Sequence, residues 1–116
     1  MQILRTHAVV AIVLFVVAAV SYTAVVQAEE PSFTLTIKDH RFAPNEITVP
    51  TGQKIKLVVK NLDKTPEEFE SHDLNREKIV QGGGEITLYI GPLKEGTYKI
   101  FGEFHEDTAQ GRIIAK

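Results

Sequence analysis

The chain has 116 residues, a formal charge of −2 and no cysteine. No thiolate is available for nucleophilic or soft-metal chemistry, and neither a disulfide nor a lipidated cysteine can tie the chain down. The acidic balance leaves no basic face to neutralise phosphates, which argues against nucleic acid as a partner.

Arg5 and His7 precede an apolar run over residues 8–20, and Ser21, Tyr22 and Thr23 follow. Val26 and Ala28 then stand at the two positions that a signal peptidase reads. This is the order of a secretory signal, and it predicts export with cleavage after Ala28. The alternative is a retained membrane anchor, because residues 24–26 extend the run towards the roughly 20 residues that a span needs. Residues 29–116 are 88 residues with a formal charge of −3, since they hold all 15 acids and 12 of the 13 basic residues. That length suits one domain with a single core.

Within it, Phe33, Leu35 and Ile37 alternate with polar residues, the period of a half-buried strand. Pro44 and Asn45 mark a turn, Ile47 and Val49 a short strand that stops at Pro50, and Gly52 a second turn. Ile55, Leu57 and Val59 alternate with lysines, the clearest strand pattern in the chain. A loop over residues 61–66 leads to the acidic stretch Glu67-Glu-Phe-Glu-Ser71. Residues 73–78 are polar and fit a helical turn. Gly82, Gly83 and Gly84 form a flexible turn, without the Lys-Ser/Thr setting of a phosphate loop. Ile86, Leu88 and Ile90 alternate again, and residues 98–103 and 112–116 complete the set. About seven short strands separated by turns, with no helical periodicity, predict an all-β antiparallel Greek-key sandwich. Tyr98, two residues after Gly96 and ahead of a strand, matches a tyrosine corner.

Taken together, Phe42-Ala-Pro-Asn-Glu-Ile-Thr-Val-Pro-Thr-Gly52, Asn61-Leu-Asp, Gly96-Thr-Tyr98 and His105 followed by Gly111 resemble the cupredoxin family. The resemblance spans about residues 33–116. Within that family the chain is most similar to the cupredoxin-like proteins of bacterial high-affinity ferrous-iron uptake systems, which carry a similar Glu-aromatic-Glu stretch. The departures are equally specific. The position of the first copper-binding His falls on Glu67 or Glu68, that of the Cys on Gly102, and the stretch where Met would sit reads Asp107-Thr-Ala-Gln110. Of the four blue-copper ligands His105 alone is kept, so a His-His-thiolate copper centre cannot form.

What remains is a set of carboxylates and an imidazole, donors that suit iron, manganese or Cu(II) and do not suit Cu(I). Strand alternation groups Glu68 with Glu70, opposite Glu67 and Phe69, and it groups Glu103 with His105. The resemblance implies that the Glu67–Ser71 stretch and the end of the strand at residue 103 adjoin, with Glu68, Glu103 and His105 as the first metal ligands and Glu70 and Glu67 behind them. The family's Glu-aromatic-Glu pattern favours Glu68 and Glu70, whereas the blue-copper alignment leans towards Glu67. Glu106 would be a further ligand or would orient the imidazole, His72 is an optional ligand, and His40 reads as a surface residue of a turn. Clustered acids can equally be a solvated face.

The resemblance implies a periplasmic accessory protein of iron uptake that binds iron, copper or both. At most it would assist Fe(II) oxidation before an inner-membrane iron permease or another uptake component takes the ion. Two other readings stand beside it: a metal-free sandwich that docks its acidic end on a membrane complex, and a periplasmic copper carrier. A hydrolase is disfavoured, since no Ser or Cys nucleophile has a fitting His and acid partner.

Overall fold

Leu35 and Ile37, Ile55, Leu57 and Val59, and Leu88 and Ile90 are buried residues two apart in sequence, and they make one wall of the core. A period of two places such residues on one face of a strand, while the residues between them turn to the other, more exposed face. A computed structural model of the chain describes residues 15–24 and 29–116. Arg5, His7 and the cleavage signature at Val26 and Ala28 lie outside the described residues. Residues 15–24 are exposed and carry no regular structure. Among the described residues no helix is long and apolar enough to cross a membrane.

Nine strands follow: β1 Ser32–Lys38, β2 Arg41–Ala43, β3 Glu46–Val49, β4 Ile55–Asn61, β5 Glu67–Ser71, β6 Arg76–Val80, β7 Glu85–Ile90, β8 Gly96–Gly102 and β9 Gln110–Ala115. They form two sheets, with orders β2-β1-β4-β7 and β3-β9-β8-β5-β6. Leu35, Ile55 and Leu57 of the first sheet and Phe69, Ile100 and Ile113 of the second are all fully buried. Each such side chain contributes on the order of 1.5–3 kcal/mol through apolar burial. The sandwich predicted from the sequence is therefore the fold.

Two pairings differ from the antiparallel expectation: β1 runs parallel to β4, and β3 runs parallel to β9. The chain leaves the first sheet after β2, adds β3 to the second, and returns as β4 beside β1. Side-chain alternation has no direction, so it carries no sign of this. Residues 73–78 also differ from the helical turn expected. The turn is confined to residues 72–75, closed by Asn75 at φ 53°, and Arg76 already begins β6. β6 is an edge strand whose residues other than Val80 are at least partly exposed, so no apolar period reveals it. The tyrosine corner is present, with the Tyr98 hydroxyl donating to the Lys94 carbonyl at 2.8 Å.

Candidate metal centre

β5 lies between β8 and β6 and carries the acidic stretch. Its alternation turns Glu67, Phe69 and Ser71 into the sandwich, where each is at most 1 % exposed, and turns Glu68 and Glu70 to the outer face. β8 ends beside it at Gly102, and residues Glu103–His105 form a 3-10 helical turn. Three residues per turn separate Glu103 from His105 by about 240°, so they no longer share a side as they would on a strand. The five expected donors therefore fall into two groups. Glu67 and His105 meet inside, whereas Glu68, Glu70 and Glu103 meet outside.

Inside, Oε1 of Glu67 accepts the backbone N–H groups of Glu68 at 3.0 Å and of Phe104 at 2.9 Å. Oε2 lies 2.5 Å from Nδ1 of His105, which donates to it. Gly102 makes room for this arrangement. A Cβ on residue 102 would stand 2.6 Å from the Glu67 carboxyl carbon and 2.7 Å from the Ala109 Cβ. The Glu67 carboxyl thus fills the space that a side chain at the Cys-equivalent position would need.

His40 belongs to the same cluster, although the sequence placed it in a surface turn. Its ring stacks on His105 with centroids 3.5 Å apart and planes 12° from parallel. Asp39 and His40 both adopt positive φ, 51° and 57°, a conformation that needs outside support in residues other than glycine. Asp63 provides it by accepting both backbone N–H groups, at 2.8 and 3.0 Å. Burial opposes the charge on Asp63, but these bonds hold its carboxyl below the usual range. The Thr108 hydroxyl donates to the His40 carbonyl at 2.6 Å. Buried Asn61 fixes the loop from the other side, donating to the carbonyls of Thr65 and Val80 and accepting from Asp63 N–H.

Outside, Glu68, Glu70 and Glu103 each offer a carboxylate oxygen, all within 4.8 Å of one another. The Glu68 carboxyl is pushed up to about 7 from its ordinary 4.5, first by the neighbouring Glu77 carboxyl, then by burial and by Glu103. Glu70 is also raised, by Glu103 first and then by burial and Glu77, with His72 opposing. Oε2 of Glu70 is buried and has no hydrogen-bond partner. Crowded carboxylates whose ionisation is opposed by their neighbours, with one oxygen unsatisfied, form a site short of positive charge. His72 stands off at 3.7 Å between its Nδ1 and Oε1 of Glu70. Glu106 lines a cavity together with His72, Lys99 and Phe101, and its backbone carbonyl accepts from the Gln110 side-chain amide at 2.7 Å.

The two groups differ in fitness for a metal. The inner donors already satisfy one another, and Gly102 supplies no thiolate, so these residues do not fit a blue copper ion. The outer oxygens fit a hard cation, one that takes carboxylate ligands.

Comparison with known proteins bears on the fold. Residues 9–115 match the family model of the cupredoxin-like domain. The uncharacterized protein RP394 of Rickettsia prowazekii (strain Madrid E) is 59% identical over 80 residues, which cover 69% of this chain and 64% of that protein. The chain thus spans less than two thirds of that relative's length. Auracyanin A, a "blue" copper protein from Chloroflexus aurantiacus, superposes with a TM-score of 0.65 at 13% identity, over 76% of this chain and all of the other. The metal binding domain of the Streptococcus pneumoniae D39 Cu(I) exporting P-type ATPase CopA gives 0.62 at 9% identity, over 73% and 84% of the two chains. At such identities the likeness concerns the fold alone.

Proposed function

The chain belongs to the cupredoxin-like domain family, and we propose that it is a periplasmic accessory protein of ferrous-iron uptake that carries its cation on the outer face of the sandwich. The observation that carries this reading is the convergence of Glu68, Glu70 and Glu103, whose oxygens lie within 4.8 Å of one another. Carboxylate donors prefer hard ions and, among iron states, stabilise the more highly charged one. Such a site favours Fe(III) over Fe(II), so an external one-electron acceptor such as dioxygen takes the electron of the bound Fe(II) more readily, while the protein itself takes up none. It then hands the cargo to an inner-membrane permease. The protein's own residues bind and release; no nucleophile or proton relay is required of them. Ile79, in register with Glu68, and Phe104, next to Glu103, are 48 % and 46 % exposed and give the acidic site an apolar rim for a membrane-bound acceptor.

One observation favours a second reading, a Cu(II) carrier: the His72 imidazole beside Glu70 adds a nitrogen donor, which Cu(II) values more than iron does. Calorimetry of the purified protein with Fe(II) under anaerobic conditions, with Fe(III) citrate and with Cu(II) separates the two. The iron reading expects micromolar or tighter iron binding that Glu68→Gln with Glu103→Gln abolishes. Cu(II) that displaces iron and is itself not displaced would favour the carrier. Binding of neither metal leaves the metal-free docking module in its place.

A further inference from the structure

Strand alternation sorts the charges of the outer surfaces as it sorts the core. On the sheet β2-β1-β4-β7 the outward residues stand in register: Arg41 beside Lys38, Thr36 beside Lys60, Ser32 beside Lys56, and Lys60 in turn beside Glu85. The four cations Lys38, Arg41, Lys56 and Lys60 thus meet one acid on that face, Glu85. The face carries +3, whereas residues 29–116 carry −3 in all and the remainder of them −6. The overall acidity of the chain conceals a basic side.

Nothing in the fold neutralises that side. Among the described residues, the ion pairs engage none of the four cations. Lys38 and Arg41 are directly opposed across β1 and β2, a placement of like charges that destabilises a sheet. Between the cations the outward residues Thr34, Thr36, Ala43, Val58 and Thr87 are short. They leave a level surface from which the long cationic side chains project. The cations are spread along β1 from Ser32 to Lys38, roughly 20 Å at the rise of a strand, instead of converging on one point.

Two features bring a bilayer to this face. The apolar run over residues 8–20 precedes β1, an inner strand of the sheet, and residues 21–31 alone separate the two, a reach of at most roughly 40 Å. Wherever that run enters a bilayer, it holds the basic face beside the headgroups. At the end of the face where β1 starts, Tyr89 lies in register with Lys56 and is 43 % exposed, with the Lys54 ammonium 4.5 Å from its ring centroid. Tyrosine is enriched at the membrane–water boundary, where lysine also keeps its charge in water.

We propose that the outer face of this sheet docks on an anionic phospholipid surface, with Lys38, Arg41, Lys56 and Lys60 against the headgroup phosphates and Tyr89 at the boundary. An extended negative surface suits cations that are spread over a level sheet. The docking does not depend on the metal reading above. It turns the acidic sheet, which the same lipid repels, away from the bilayer.

The test binds the full chain to vesicles of phosphatidylcholine alone and of phosphatidylcholine mixed with phosphatidylglycerol. Sedimentation reads the binding, and the rate at which a soluble reagent acetylates each lysine reads the orientation. The parent is expected to bind the anionic vesicles more tightly, with high salt removing the difference. Lys38, Lys56 and Lys60 should be acetylated more slowly on the anionic vesicles than on the neutral ones. Acetylation decides where the apolar run alone holds the chain on both lipids. Lys38→Gln with Lys56→Gln and Lys60→Gln should weaken binding to the anionic vesicles by about a hundredfold, about fivefold for each lysine. Lys78→Gln with Lys94→Gln and Lys99→Gln, which remove the same charge elsewhere, should weaken it far less. Equal binding and equal acetylation on the two lipids would overturn the proposal and assign any attachment to the apolar run. Equal losses in the two triple variants would overturn the choice of face. Binding to neither lipid would overturn the proposal as well and leave the face to an acidic protein partner.

Discussion

Glu67 and Glu68 are adjacent on one strand and have opposite fates. Glu67 points into the sandwich and its carboxylate accepts from two backbone N–H groups and from His105. Glu68 points outwards, yet it too is nearly buried, and it meets the carboxyls of Glu77 and Glu103. The inner acid is satisfied by donors and holds the fold together; the outer acid is surrounded by acceptors and strains it. Burial alone does not tell a structural acid from a binding one. What the carboxylate faces does.

The largest break in that contrast is Glu67→Ala. It leaves the N–H groups of Glu68 and Phe104 and the His105 imidazole without their acceptor. Leaving a buried donor without its acceptor costs about 1–3 kcal/mol for each group orphaned, and denaturant unfolding should show a loss summed over these donors. Glu68→Gln should do the reverse, stabilising the metal-free protein while reducing metal affinity. If Glu67→Ala proved neutral, the inner pair would not be the structural member of the contrast.

Gly102→Ala comes next. The new methyl would crowd the Glu67 carboxyl carbon at 2.6 Å and the Ala109 Cβ at 2.7 Å. Overpacking of this kind costs about 1–3 kcal/mol. Part of that loss should vanish in a Glu67→Ala background, because residues in contact couple. A strictly additive double mutant would refute the view that Gly102 is needed to admit Glu67.

How far the sequence announced all this depends on what local pattern can encode. β4 was plain, because Ile55, Leu57 and Val59 face the core at every second position. The same alternation correctly separated Glu67 from Glu68 and Glu70. It failed at Glu103 and His105, because the strand gives way to a 3-10 turn at Gly102 and the period changes from two to three. β6 was hidden since an edge strand of polar residues has no buried face to advertise. Glu77 was missed with it, as a cross-strand neighbour cannot be found before the strand is. His40 gave no signal either, because its place against His105 is set by Asp63 and Thr108, residues distant in sequence.

A subtler probe of the outer acid is pH. The Glu68 carboxyl is raised from 4.5 to about 7 in the folded protein, chiefly by Glu77. Between those values the folded state holds a proton that the unfolded state has released. Stability of the metal-free protein should therefore fall as pH rises from about 4.5 through about 7, and level off above. Melting curves across that range check the sign, and Glu68→Gln should flatten the slope.

The smallest expected effect concerns the stack at the inner end. His40→Ala removes a ring lying 3.5 Å from that of His105 and leaves the Glu67–His105 bond itself untouched. An aromatic pair adds about 0.5–1.5 kcal/mol beyond its buried area, so chemical unfolding should register a loss near that range. The backbone of residue 40 stays tied by Asp63 and Thr108, which keeps the change confined to the ring. Metal affinity should be unchanged, because His40 belongs to the inner group and the proposed cation site to the outer. A His40→Ala protein that folded normally but lost its metal would join the two groups again, and would return the site to the inner end of the sandwich where a cupredoxin keeps its copper.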